Sequence, residues 1–449
     1  MRLQVSVWVL LSAVVFGAPV WAGLQAGVAT VEITPPIGGM MAGYGDRALA
    51  VSTGVHDPLM AKALVLKDED TAIAIVTMDL AGVPSKSVDA LKKAIHEQTG
   101  IDQVMLLASH THSGPDASTP FPLGGKPWVA ELEEKVAKAV VAANEALQPV
   151  RYGVGKGQAR EGHNRRKVLA DGTCKMLWRN EERAPTEPVD YEVGIMRFET
   201  ADGALLATLV NFACHPVILG PENLEISADW PGVMMRTVED ELGGVCMFAQ
   251  GACGDINPFM DKTAPKDGAF EEVAKMGKVL AAEVVRVSEA IEPHDAAAPG
   301  LTAQTESVPI ALRWDINDPA VIAAFEQKYG KLLVKLALNR IKTELEGELT
   351  GDLVTVTLGD DLAIAGVPGE FFVAHGLDLK ARCAIPNAFL FGYCNKGFAY
   401  FPTVNASWQG GYGGKEATFV EVGAGEKFIN RALVNVYYQT GRLNRIPQF

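Results

Sequence analysis

The sequence has no Cys-x-x-Cys pair, no excess of positive charge and, beyond its amino terminus, no apolar run of membrane-spanning length. Without a Cys-x-x-Cys pair, a thiolate metal site or redox dithiol is not expected, so the six cysteines should be small buried side chains whose pairing the spacing does not reveal. The net charge of −14 argues against nucleic acid as a partner. A membrane helix needs roughly 18 to 20 apolar residues, so none is expected in the mature chain.

The amino terminus has the pattern of a secretory signal peptide. Arg2 precedes an apolar run at 5–15, and small residues suited to a cleavage site follow at 18–22. The apolar run is short for a bilayer span, although a retained membrane anchor is the alternative. We therefore expect cleavage near Gly23, an exported (periplasmic or secreted) protein, and a mature chain one unit more negative, since Arg2 is the only charge removed.

The remaining chain, 23–449, is predicted to be one α/β domain with a mixed sheet and flanking helices. Hydrophobic residues make up 48% of the sequence, enough for a large core, and no low-complexity linker divides it. Apolar runs alternate with stretches of helical periodicity. Strands are predicted at 61–66, 71–78, 104–108, 192–198, 205–212, 245–249, 353–358, 362–365 and 388–393, and helices around 88–95, after 127, at 270–291 and at 319–345.

The stretch VMLLASHTHSGP at 104–115 is the clearest local sign of a site. Its apolar residues predict a buried strand, and Gly114 and Pro115 predict the turn that ends it. His110 and His112 would then lie at the carboxyl end of the strand and on one side of it, because side chains alternate across a strand. A lone histidine beside a core is usually structural, whereas a His-x-His pair at a strand end favours a metal site.

Several other predicted strands end in the same way, with a polar or ionisable residue close to Gly or Pro. Strand ends are where the sites of α/β proteins assemble. Each signal is weak alone, because a glutamate after Pro-Gly is often a helix N-terminal charge and a tyrosine is often half-buried packing. The residues are His215, Asp255, Asn257, Glu370, Tyr400 and Tyr412.

Together these motifs resemble the neutral (alkaline) ceramidase family, zinc-dependent hydrolases of the amide bond between a fatty acid and a sphingoid base. Their order and approximate spacing agree across nearly the whole mature chain. The resemblance is carried by GVATVEITPPIGGMMAGYG, GVHDPLMAKALVL, SHTHSGP, HNR at 163–165, NFACHP, GACGDINP, VPGE and the tyrosines at 400 and 412.

The resemblance implies Zn²⁺ as cofactor and a lipid-like N-acyl amide as substrate. It places the zinc ligands on His110, His215, Glu370 and Tyr400. Two imidazoles, a carboxylate and a phenolate are also donors that suit zinc. Other catalytic-site residues fall on His112, Arg165 and Tyr412.

The expected reaction is attack of zinc-bound water on the carbonyl carbon. Zinc would stabilise the resulting oxyanion together with His112, Arg165 or Tyr412. His112 is expected to carry a proton to the leaving nitrogen, the alternative being that its ring only orients other groups.

The chain departs from the family pattern at three places. Asn257 stands where the family has a serine important for activity; asparagine is no nucleophile but can position substrate or water. Gly413 and Gly414 replace the family's usual glutamate. Only 37 residues follow Tyr412, so we expect the family's carboxyl-terminal β-sandwich domain to be missing. The prediction is therefore an exported zinc-dependent amidohydrolase whose substrate need not be ceramide.

Two other functions stay open from the sequence. A metal hydroxide attacks an ester or lactone carbonyl as readily as an amide, so the scissile bond is not fixed. A binding protein that has lost the chemistry is the second, suggested only by Asn257, and the retained ligand types argue against it. The sequence does not predict the acyl chain, the amine or the oligomeric state.

Overall fold

The computed structural model describes residues 23–47, 50–117, 128–296, 300–331, 334–335, 338, 349–397 and 400–444. The predicted signal peptide at 1–22 lies outside these residues. Within the described part, no helix is long and apolar enough to cross a membrane.

The described residues form twenty strands and eight α-helices. The strands are β1 (Gln25–Glu32), β2 (Gly54–Val55), β3 (Met60–Lys67), β4 (Ala72–Met78), β5 (Gln103–Ala108), β6 (Gln148–Gln158), β7 (His163–Asn164), β8 (Arg166–Val168), β9 (Cys174–Met176), β10 (Glu192–Thr200), β11 (Leu205–Phe212), β12 (Glu225–Ile226), β13 (Val245–Gln250), β14 (Ile256–Asn257), β15 (Leu301–Pro309), β16 (Thr350–Leu358), β17 (Leu362–Gly366), β18 (Glu370–Phe371), β19 (Asn387–Phe391) and β20 (Tyr400–Phe401). The helices are α1 (Ser85–Thr99), α2 (Trp128–Glu145), α3 (Asp229–Leu242), α4 (Ala269–Ala290), α5 (Pro319–Tyr329), α6 (Val373–Arg382), α7 (Val404–Gln409) and α8 (Ala424–Gln439).

Two mixed sheets form the centre of the molecule. The larger has eight strands in the order β13-β11-β10-β6-β1-β3-β4-β5, and the smaller has four in the order β15-β16-β17-β19. Most neighbours are antiparallel, but β4 with β5, β11 with β13, and β17 with β19 are parallel. Both strands of a parallel pair end at the same edge, so three such edges are available for a site.

The two sheets pack face to face, with helices on their outer sides. On β3, Leu64 and Leu66 join a core with Val354 and Val356 of the smaller sheet. The alternate residues of β3 belong to a second core with helices α1 and α2. Helices α3 and α4 cover the other half of the large sheet, and α8 covers the smaller one. The result is a four-layer α/β/β/α arrangement, held by burial of apolar surface on both faces of each sheet.

The structure confirms the predicted fold class, α/β with a mixed sheet and flanking helices. The second sheet was not foreseen, and neither were β1, β6, β15, α6 and α8. The helix predicted at 319–345 is observed as Pro319–Tyr329, and Gly330, with φ of 84°, follows its end. Much of 332–348 lies outside the described residues.

Candidate metal centre and active site

The carboxyl ends of the three parallel pairs supply the site. His110 follows β5, His215 follows β11, and Glu370 follows β17. Asn257 lies beyond β13, and Tyr400 lies beyond β19. Strands that end at a common edge bring polar side chains to one place, because the residues in the loops beyond them are outside the hydrogen bonding of the sheet.

The two histidines of SHTHSGP meet through a loop and not along a strand. Strand β5 ends at Ala108, and His110 has a left-handed backbone with φ of 69°. The imidazoles nevertheless converge, with 3.1 Å between the Nε2 atoms of His110 and His112. The prediction that both rings face one site is thus met, but strand alternation is not the reason.

Two histidines and one carboxylate direct atoms that could bind a metal, Nε2 of each ring and Oε2 of Glu370, towards a common point. His110 Nδ1 lies 2.6 Å from the Ala81 carbonyl oxygen, and His215 Nδ1 lies 3.0 Å from that of Ile256. A carbonyl can only accept, so each ring carries a proton on Nδ1, and the neutral form of such a ring has its lone pair on Nε2. Glu370 Oε2 is 3.2 Å from His215 Nε2 and 3.5 Å from His110 Nε2.

These separations fit a shared metal ion. Tetrahedral zinc with bonds of about 2.0–2.1 Å sets its donor atoms roughly 3.3 Å apart. Carbonyl partners that fix the tautomer of a ligating histidine are the usual outer support of such sites. His110 and His215, which are buried, and the half-buried His112 form a group that can hold a metal, with one ring nitrogen from each within 4.8 Å of the others.

His112 differs from the other two histidines in its Nδ1 environment. Its Nδ1 is buried, has no hydrogen-bond partner among the described residues, and lies against Gly43, where a Cβ atom would come within 2.5 Å of it. A proton on that nitrogen would be an unsatisfied buried donor, which is costly. The favoured tautomer therefore carries the proton on Nε2, so His112 faces the site as a hydrogen-bond donor.

The electrostatics keep this group in the form a cation needs. Burial lowers the pKa of His215 to about 4 and that of His112 well below its usual value. Burial alone would raise the pKa of Glu370, but His110 and His215 hold it well below the ordinary value. At neutral pH His112 and His215 are therefore neutral and Glu370 is ionised, which are the forms of imidazole and carboxylate that bind zinc.

Tyr400 lies next to Glu370 because β18 and β20 pair in parallel with these two residues in register. Burial and the Glu370 carboxylate raise the pKa of Tyr400 well above its usual value. The phenol thus keeps its proton near neutrality unless a cation offsets both effects. Its ring centroid is 5.3 Å from that of Tyr412, which also meets Trp178 edge to face.

Arg165 connects this aromatic group to Asn257. Its guanidinium carbon lies 5.4 Å from the Tyr400 ring centroid and 5.5 Å from that of Tyr412. Nη1 donates to Asn257 Oδ1 at 3.0 Å, and Nη2 donates to the Gly254 carbonyl at 2.7 Å. Burial works to lower the pKa of Arg165, yet Tyr400 and the nearby carboxylate raise it on balance, so the charge is permanent.

Asn257 is fully engaged by its neighbours. While its oxygen accepts from Arg165, its Nδ2 donates to Asp261 Oδ2 at 2.8 Å, and the side chain is buried. Asn257 thus supports Arg165, and both of its polar atoms already have partners within the protein. All eight predicted site residues lie in one region, and Asn257 belongs to it through its bond to Arg165.

Sequence reasoning missed residues that hold these groups in place. Gln250 donates through Nε2 to the carbonyls of Ser109 and Cys214, and its Oε1 accepts from the backbone of Cys214, so it ties together the loops beyond β5, β11 and β13. Tyr393 contacts Glu370 and His110. The signal for both was available, because each lies at a strand end beside glycine, in FAQGA and LFGYC.

Four of the six cysteines are buried, as expected from the sequence, whereas Cys174 and Cys383 are half-buried. All six are free, and the buried ones are Cys214, Cys246, Cys253 and Cys394. Burial raises the pKa of the Cys214 and Cys253 thiols well above the usual value, so neither supplies a thiolate to the site.

The chain is similar in sequence and fold to the proteins of one known family. A family model described as "Neutral/alkaline non-lysosomal ceramidase, N-terminal" matches residues 24–274. Neutral ceramidase of Pseudomonas aeruginosa is 25% identical over 247 residues, which are 50% of this chain and 36% of that protein. Neutral ceramidase B of Dictyostelium discoideum is 24% identical over 245 residues, 49% of this chain and 33% of that protein. The matched stretch thus spans about a third of each relative's length.

Solved structures extend the likeness beyond the matched sequence. The crystal structure of neutral ceramidase from Pseudomonas aeruginosa superposes with a TM-score of 0.74 at 18% identity, covering 95% of this chain and 76% of that one. A ceramidase complexed with C2 superposes with the same score at 19% identity. At this identity the likeness concerns the fold.

Proposed function

Because the chain belongs to the neutral/alkaline non-lysosomal ceramidase family, we propose that it is a zinc-dependent hydrolase of an N-acyl amide bond. The family resemblance expected from the motifs is confirmed over residues 24–274. Hydrolysis, the metal and the substrate are the proposal. Export directed by residues 1–22 also remains a proposal, and it rests on the sequence alone.

The observation that carries the proposal is the arrangement of three donor atoms. His110 and His215 have their Nδ1 protons directed to backbone carbonyls, and their free Nε2 atoms face Glu370 Oε2. A purely structural cluster would pair its donors with acceptors, whereas here, with both rings neutral, two nitrogen lone pairs face an ionised oxygen. A cation bound to all three atoms would stabilise such a set of lone pairs.

In this proposal His110, His215 and Glu370 hold the ion, with Tyr400 beside Glu370 as the fourth candidate. Bound zinc would supply Lewis acidity for a carbonyl oxygen and lower the pKa of a water molecule to roughly 7. His112 presents an N–H at Nε2 next to the ligands and is suited to pass a proton to the leaving nitrogen.

Arg165, Tyr400 and Tyr412 form the polar wall of the proposed site. Arg165 supplies a fixed positive charge that favours an oxyanion, and it keeps that charge because its neighbours raise its pKa. The tyrosine hydroxyls bring further donors to the same wall. A tetrahedral anion is thereby favoured over a planar carbonyl, which lowers the barrier to hydrolysis.

The test begins with the metal. Purified protein should contain one zinc per chain by elemental analysis, and His110→Ala combined with His215→Ala should abolish binding, because both nitrogen donors are lost. Asn435→Ser, far from the site on α8, should leave the zinc content unchanged. Native protein without zinc, or full zinc content in the double variant, would show that the assigned metal site is wrong.

The second half of the test identifies the bond that is cleaved. Native protein is incubated with ceramide, smaller N-acyl amides and matched esters, and the products are measured by mass spectrometry. The proposal expects release of a carboxylic acid and an amine from at least one amide, with loss of this activity in the double variant. Turnover of esters alone would favour the ester hydrolase that the sequence left open, and turnover of no compound would favour a binding protein.

A further inference from the structure

Tyr393 touches two of the proposed zinc ligands at once. Its hydroxyl donates to Glu370 Oε2 at 3.3 Å. Its ring stacks on the imidazole of His110, with 4.2 Å between centroids and 24° between planes. His110 and Glu370 follow strands of different sheets, so Tyr393 is a direct link between ligands that the chain brings from far apart.

The 3.3 Å contact is long for an O–H···O bond. Glu370 Oε2 also lies 3.2 Å from His215 Nε2 and 3.5 Å from His110 Nε2. The Tyr393 hydroxyl therefore donates to the same oxygen atom that faces the two imidazoles.

A thiol completes the chain of hydrogen bonds behind Tyr393. Cys253 Sγ lies 3.1 Å from the phenol oxygen. Because the phenol's one proton is given to Glu370, the thiol is the donor in this second bond. Cys253 belongs to the GACGDINP loop, so that loop is connected to Glu370 through Tyr393.

The backbone of Tyr393 is held in a costly conformation. Its φ is 52°, in the left-handed region that a bulky aromatic residue rarely adopts, and its side chain is buried. Its N–H donates to the Gly369 carbonyl at 3.1 Å, immediately before Glu370. Strain of this kind persists where the surroundings over-determine it, and functional sites are where it concentrates.

We propose that Tyr393 is a positioning residue that sets the orientation of the Glu370 carboxylate and the His110 ring for metal binding. The inference rests on the proposed zinc site and adds a residue that the family motifs do not include. In this role Tyr393 does not touch the substrate. Tyr393 acts through Glu370 and His110, and Cys253 acts through Tyr393.

Tyr393→Phe isolates the hydroxyl, because phenylalanine preserves the stacked ring. We expect zinc affinity, measured by competition with a chelator, to fall roughly 10- to 100-fold, the usual effect of removing an outer-shell partner of a metal ligand. Cys253→Ala should weaken zinc less, since its bond lies one step further away. The visible spectrum of the Co²⁺-substituted protein should change in Tyr393→Phe, which reports on the ligand geometry independently of activity.

Tyr152→Phe is the matched control. Tyr152 is equally buried, in the core between the sheets, and its hydroxyl donates to the Leu358 carbonyl at 3.4 Å. This variant should bind zinc and Co²⁺ as the native protein does. Equal zinc affinity and an unchanged Co²⁺ spectrum in Tyr393→Phe would overturn the positioning role while leaving the zinc site standing. Native protein that binds no zinc would overturn both.

Discussion

Asn257 shows at the residue scale how a substitution within a family motif can be absorbed by its neighbours. The sequence suggested that it positions substrate or water, but both of its polar atoms are occupied by Arg165 and Asp261. Serine has a single oxygen on a shorter side chain and does not reach both partners. Asn257 and Asp261 therefore work as one support for the Arg165 guanidinium.

This contact makes Asn257→Ser a decisive variant. The serine loses the bond to Arg165, and Asp261 is left with one partner fewer. These losses cost about 1–3 kcal/mol, so kcat/KM should fall roughly 10- to 100-fold. The fall should be similar for every amide that the native protein hydrolyses, because Arg165 acts on the oxyanion common to all of them. Steady-state kinetics on several acyl chains provides the measurement.

Asn435→Ser is the control for this experiment, since Asn435 bonds Glu306 away from the site. A shift of preference between substrates, without a common loss, would mean that Asn257 contacts substrate as the sequence suggested. Activity that appears only in Asn257→Ser would mean that a side-chain hydroxyl is the nucleophile, and the zinc-dependent mechanism would fail.

Residue types at strand ends were predictable from the sequence, because an apolar run followed by His, Glu or Tyr near glycine is a local pattern. The carbonyls that fix the histidine tautomers were not. They depend on the left-handed turn at His110 and on the approach of Ala81 from the loop that follows β4. The position of Tyr393 at a strand end beside glycine was visible in the sequence, but its contacts with both His110 and Glu370 depend on the packing of two sheets, which no spacing along the chain reveals.

At the scale of elements, strand β6 was missed because it is rich in glycine. Glycine weakens a strand, so GVGKGQ does not have the composition of one. Its glycines alternate along the strand and lie against α4 and the segment that follows it. A Cβ atom on Gly155 would come within 2.7 Å of Val287 and 2.9 Å of Ile291. The glycines therefore allow a helix to approach the sheet closely, a tertiary reason invisible in local propensity.

Gly155→Val should accordingly destabilise the protein. The added side chain overpacks the contact between β6 and α4, which typically costs about 1–3 kcal/mol. Chemical denaturation should show a lower midpoint with an unchanged slope, since the core and not the unfolded state is affected. Gly82→Ala is the control, because nothing lies within 4 Å of its new Cβ, and its midpoint should be unchanged or slightly higher. An undiminished midpoint for Gly155→Val would show that α4 is free to move away.

At the scale of the molecule, the site lies where the two sheets meet. His110 and His215 follow strands of the larger sheet, whereas Glu370 and Tyr400 lie on the short pair β18 and β20, which follow β17 and β19 of the smaller one. The sequence predicted α/β alternation correctly but not the division into two sheets, because pairing order is set by long-range contacts. That division matters for the proposed metal site, since its residues follow strands of both sheets and come together only after the sheets have packed.

Removal of the metal should therefore abolish activity without unfolding the chain. The cores between the sheets and under the helices are extensive and do not involve the ligands' donor atoms, so their burial is unchanged when the ion leaves. Zinc should only add the stabilisation of any ligand that binds the native state, about 3 kcal/mol at a hundredfold excess over its dissociation constant.

After dialysis against a chelator, we expect the far-ultraviolet circular dichroism to persist, the melting temperature to fall by a few degrees, and added zinc to restore both the melting temperature and hydrolysis. In the His110→Ala, His215→Ala double variant, the melting temperature should not respond to zinc at all. Collapse of the circular-dichroism signal on chelation would mean that the two sheets depend on the ion to remain packed, and that the cores alone do not determine this fold.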